Sequence, residues 1–116
     1  MSLEVEVVLD PEAGERPPPG TPLRVQLRDT GLADAPARVL AEADASVGEE
    51  GGNRLGTVVL QVPEDVSRDN LSVWAHVDVT RTGDVTSGDY ITMQSHRPPS
   101  PEQQPARLPV TVRPVR

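Results

Sequence analysis

The chain has 116 residues and a formal net charge of −7, which suits one small domain and sets it against nucleic-acid backbones. No cysteine is present, so disulfides, thiolate catalysis and cysteine-ligated zinc are excluded. With 35% hydrophobic residues, one Trp, one Tyr, no Phe and 13 prolines, any core must rest on Val and Leu in well-paired strands.

The first residues, MSLEVEVVLD, alternate as a half-buried strand, with Leu3, Val5, Val7 and Leu9 on one face. They show no charged segment followed by an apolar run, as an export signal would. DPEAGERPPPGTP then breaks the pattern, because proline donates nothing to a ladder, and a proline-rich loop is expected over 10–22. Leu23, Val25 and Leu27 resume the alternation in a second strand. DTGLADAP follows as a turn; its Asp29 and Asp34 are better explained by Asx-turn chemistry than by a calcium loop, whose dense oxygen ligands are missing.

ARVLAEADASV alternates weakly, and its Ala, Leu and Glu favour helix, but its length and its closeness to Pro36 favour a strand. GEEGGNRLG reads as an acidic loop, TVVLQV as a strand, and PEDVSRDN as room for one helical turn. A long strand from Leu71 to Thr80 pairs with a partner from Asp89 to Ser95. A second proline-rich loop over 96–107 leads to a last strand through Leu108, Val110 and Val112. About seven short strands between turn signals predict one all-β domain over 1–116. The expected form is an antiparallel β-sandwich, immunoglobulin- or prealbumin-like.

The long hairpin holds the only Trp, the only Tyr and both His. Opposing Val77 to Ile91 and Ala75 to Met93 keeps apolar residues on one face. The other face then gathers Trp74, His76, Asp78, Tyr90, Thr92 and Gln94, a polar surface with an aromatic platform that could hold a flat or sugar-like ligand. Strand pairing alone also accounts for these residues. His76 and His96 would lie about 13 Å apart along the strands, so no shared metal is expected, and no cofactor either. His76 and Asp78 share a face, yet no nucleophile stands beside them. No GxSxG, Walker glycine loop or HExxH is present, and an enzyme is not expected.

The stretch PPGTPLRVQLRDTGLADAPARVLAEA, with the looser continuation LGTVVLQVPEDVSRDNLSVWAHVDV and GDYITMQS, resembles the bacterial YbaY/YscW family of small envelope lipoproteins. Some of these are related to pilotins of type III secretion. The resemblance implies an antiparallel β-sandwich acting in binding or assembly; in pilotin-like members such a domain helps an outer-membrane secretin reach its place. It also implies that Asp29, Leu32, Ala33, Asp34, Ala35 and Pro36 form a structural turn. The family's lipid-bearing cysteine has no counterpart. The favoured expectation is a non-enzymatic module that binds a protein partner, or itself, at an exposed edge strand. The alternative is a small-ligand module, with carbohydrate as one candidate class, using the Trp/His/Tyr face of the hairpin. Neither nucleic acid nor membrane insertion is expected; nothing in the sequence approaches membrane-spanning length. The location expected from this sequence is cytoplasmic, or the cell envelope if an export segment has been removed.

Overall fold

The computed structural model describes residues 2–31, 38–49, 52–63, 70–94, 96–98 and 106–115. Among them are seven strands: β1 (Ser2–Leu9), β2 (Pro22–Asp29), β3 (Arg38–Ser46), β4 (Arg54–Gln61), β5 (Leu71–Val77), β6 (Tyr90–Thr92) and β7 (Arg107–Pro114). The alternation read in the sequence is the alternation that is buried. Leu3, Val5, Val7 and Leu9 of β1 point inward, as do Leu23, Val25 and Leu27 of β2 and Leu71, Val73, Ala75 and Val77 of β5. Val110 and Val112 of β7 close the same core. The segment VLAEADA is strand throughout, and its Ala41, Ala43 and Ala45 pack against the core.

The expected antiparallel sandwich is corrected in two respects. All seven strands belong to one sheet, in the order β3-β2-β5-β6-β7-β1-β4. Within it β1 and β7 run parallel, with Val5 opposite Leu108 and Val7 opposite Val110. The sheet coils until its outer strands approach each other and form a nearly closed, barrel-like shell. Gly48 N–H donates to the Leu55 carbonyl at 2.9 Å, and a Cβ on Gly56 would meet Leu23 at 3.0 Å. Glycine there spares the Leu23 methyl from having to shift. Bulges assist the curvature. In the β1–β4 pairing, Val7 faces Gly56 and Val8 faces Arg54, so Leu55 has no partner across the ladder and turns into the core. Alternation reports which face of a strand is buried, not which strand lies beside it or in which direction. A coiled sheet and a sandwich therefore write the same pattern.

Residues 10–21 cross one end of the shell and are fastened to it. Glu12 N–H donates to Asp10 Oδ1 at 2.9 Å, an Asx turn. The Asp10 carboxylate also pairs with Arg113. Arg16 donates to the carbonyls of Gly48 at 3.0 Å and Gly52 at 3.3 Å, which ties this segment to the β3–β4 connection. At the start of the LeuAlaAspAlaPro segment, Gly31 N–H donates to Asp29 Oδ1 at 2.9 Å, again an Asx turn. Leu32 to Pro36 lie outside the described residues, as does most of PEDVSRDN.

Candidate functional site

The β5–β6 hairpin carries the residues singled out from the sequence, and its register differs from the expected one by one residue. Val77 faces Tyr90 and His76 faces Ile91. Because side chains alternate, a one-residue slip sends every residue of one strand to the other face. Tyr90 and Thr92 therefore point inward, away from Trp74, His76 and Asp78. Tyr90 packs in the core and its hydroxyl donates to the Glu15 carbonyl at 3.0 Å. Burial, with the charge of Glu15, raises its pKa. Thr92 Oγ1 accepts from Ala75 N–H at 3.4 Å. Gln94 lies beyond the end of β6 and is exposed. Met93, expected opposite Ala75 in the core, is 51% exposed, and Ile91 is half-buried. The expected six-residue platform is thus divided between the two faces.

The strands are also shorter than expected. β5 ends at Val77, and the chain turns at Val79–Thr80 through a loop that returns at Asp89. Asp78 N–H is bonded to the Pro22 carbonyl at 2.8 Å. Continuing the observed register one step sets Asp89 across from Asp78, on the same outward face as His76. In the expected register Asp89 would have faced inward. The slip that divides the platform therefore creates a different cluster.

The His76–Asp89 pair of that cluster is buried although it lies outside the barrel wall, and Asp78 is half-buried. His76 Nε2 lies 2.9 Å from Asp89 Oδ2, and the two side chains are 4% and 0% exposed. Asp89 is the hub. Its Oδ1 accepts from Thr80 N–H at 2.9 Å and from the Thr80 hydroxyl at 3.0 Å. Its Oδ2 accepts from Thr86 N–H at 3.1 Å and the Thr86 hydroxyl at 3.3 Å. The Thr80 hydroxyl also bonds to those of Thr82 and Thr86. Burial by itself would raise the Asp89 pKa, but Thr80 N–H, the His76 ring and Thr86 N–H outweigh it and bring it down to about 2. Asp78 completes the group: Gly83 N–H donates to its Oδ2 at 3.0 Å, while its Oδ1 is shielded from solvent and accepts no hydrogen bond among the described residues. One donor atom each from His76, Asp78 and Asp89 lie within 4.8 Å of one another. A pocket of about 260 Å³ opens beside them, lined in part by His76, Asp78, Gly83, Arg24 and Asp44.

Trp74 occupies the same outward face, next to Gln26 of β2. The Arg28 guanidinium lies 4.0 Å from the centre of its ring, a cation–π stack that covers one face of the indole. Arg28 in turn donates to Gln26 Oε1 at 2.7 and 2.9 Å, and Gln26 donates to Glu42 at 2.6 Å. Burial lowers the Arg28 pKa. Glu42, on β3, is thereby fixed in a network. His96 stands apart, with Thr111 N–H donating to its Nε2 at 3.4 Å. The sequence places Asp89 at the start of the partner strand, where the expected register turns it inward and away from His76. The signal that could have found it is the spacing in DVTRTGDVTSGD, with aspartates at both ends and threonines between.

The chain matches no protein-family model and no curated protein. Its fold is similar to that of an alternative pilotin from the type II secretion system of Vibrio cholerae. The similarity has a TM-score of 0.67 at 19% identity and spans 100% of this chain and 97% of that one. At such identity the likeness is one of fold. The chain is a small all-β protein with a pilotin-like fold. Among the described residues no helix is long and apolar enough to cross a membrane.

Proposed function

We propose that this protein is a non-enzymatic binding or assembly module of the pilotin type, acting on a protein partner in bacterial secretion or envelope assembly. The observation that carries the reading is the end-to-end likeness of its fold to a type II secretion pilotin. The finer kinship suggested by PPGTPLRVQLRDTGLADAPARVLAEA, with the YbaY/YscW lipoproteins, agrees with that role and would place its partner in the envelope. A hydrophobic contact of modest size is available at the outer strands: Val39 of β3 is 45% exposed and Val59 of β4 57%. Edge strands and their apolar side chains are a common means of recruiting another chain.

The small-ligand alternative has less support, because the residues proposed to bind together lie on opposite faces and Arg28 already stacks on Trp74. The test is a pull-down on immobilised protein from an envelope extract of the source organism, with light scattering of the free chain. A secretin or another secretion component should be recovered, with less recovered by a Val39→Asp/Val59→Asp double variant. A strict monomer that retrieves no secretion component overturns the proposal.

A further inference from the structure

We propose that His76, Asp78 and Asp89 form a binding site for a divalent transition-metal ion of the zinc class, at the base of the β5–β6 loop. No metal is expected from the sequence, in which His76 and His96 stand too far apart to share an ion and Asp29 and Asp34 are explained by turn chemistry. The structure places other donors together. One nitrogen and two carboxylate oxygens within 4.8 Å are near the arrangement zinc takes: at bond lengths of about 2.0–2.2 Å, donors around a tetrahedral ion stand roughly 3.3 Å apart. Binding must open the 2.9 Å contact between His76 and Asp89 by a few tenths of an ångström and draw in the Asp78 carboxylate, and the pocket beside His76, Asp78 and Gly83 gives an ion a route in and room for a water in the remaining position.

Two observations separate this group from an ordinary buried ion pair. Asp78 Oδ1 is cut off from solvent and has no donor among the described residues, although buried acceptors nearly always have one. The charge is also uncompensated. Two carboxylates share one imidazole, while the nearby Arg24 is engaged by Glu42 and Asp44. A bound cation supplies both the missing partner and the missing charge. The threonines act around it: Thr80 and Thr86 fix the Asp89 carboxylate through four hydrogen bonds, the outer support that metal-binding carboxylates ordinarily have. The imidazole nitrogen favours zinc-like ions over calcium, which takes an all-oxygen shell. Binding needs neutral His76 and ionised aspartates, and any proton held between His76 Nε2 and Asp89 leaves to solvent.

The chelator-treated full chain is titrated with ZnCl2 and, separately, CaCl2, following thermal unfolding, and with CoCl2, following Trp74 emission. Trp74 is the sole tryptophan, and its ring centre lies 5.7 Å from that of His76, so cobalt in the site should quench it. Zinc should bind one to one and raise the Tm by roughly 10 °C at a hundredfold excess over its Kd; calcium should give no comparable shift. Asp78→Asn and His76→Gln should each weaken zinc at least about tenfold and abolish the cobalt quenching. Should His76→Gln fail to fold, Asp78→Asn decides, since that half-buried carboxylate has only the Gly83 bond to lose. The proposal is overturned if zinc leaves the Tm unchanged, if Asp78→Asn binds zinc as well as the parent, or if calcium stabilises equally. Any of these leaves the cluster a plain His–Asp ion pair or a site for a different ion.

Discussion

The two faces of β5 are both buried around residue 76, by opposite means. Inward, Val73, Ala75 and Val77 meet other aliphatic side chains, and their burial depends on volume and needs no particular direction. Outward, His76 and Asp89 are just as enclosed, but the Asp89 carboxylate is held by directed hydrogen bonds from His76 and from a loop that folds back over the strand. A packed face yields gradually when atoms are removed. A polar face fails at once, because each lost partner strands a group that has already given up water. The same seven residues of strand thus support one region that tolerates change and one that does not.

Mutations can break this contrast in order of size. Asp89→Ala should be the most damaging, costing about 3–5 kcal/mol in urea unfolding, since it strands His76 and two threonines within the loop. Leu27→Ala, from the opposite region, should cost about 3 kcal/mol with an unchanged urea dependence, as a cavity in an otherwise intact core. Acid probes the polar region alone. The Asp89 pKa is lowered on folding from 3.8 to about 2, so its stabilisation is complete above about pH 4 and is lost as pH falls through 2. It amounts to about 2 kcal/mol, and Asp89→Asn should flatten that part of the pH–stability profile. Tyr90→Phe keeps the packing and removes only the bond to Glu15, for a loss of about 1 kcal/mol. Arg24→Ala, which breaks half-exposed pairs with Glu42 and Asp44, should change stability by less than about 0.5 kcal/mol.

The inner region could be read from the sequence, and the outer one could not, for a physical reason. Leu3, Val5 and Val7, or Leu23, Val25 and Leu27, declare their face by period two and need no partner to do so. The hairpin register depends instead on how the chain travels from Asp78 to Asp89, and a loop of that length carries no two-residue turn signature to fix it. Apolar matching favoured Val77 beside Ile91. The fold instead buries Tyr90, whose ring fills the core while its hydroxyl reaches the Glu15 carbonyl. That single preference moves Asp89 beside His76 and Met93 into solvent. The parallel pairing of β1 with β7 was equally invisible, since nothing local distinguishes a strand with a parallel neighbour on one side from one with antiparallel neighbours on both.

That parallel pair also governs how the chain can reach its fold. β7 is last among the strands in the chain, yet it lies between β6 and β1 inside the sheet. A ribosome that has released every strand but β7 has produced two half-sheets that can meet only at β3 and β4, with a gap between β6 and β1. Folding must wait for the far end, and it must join residues separated by nearly the whole sequence, which makes closure slow. Until then the Val and Leu faces beside the gap have no strand to cover them. The arrival of β7 covers them and closes the sheet.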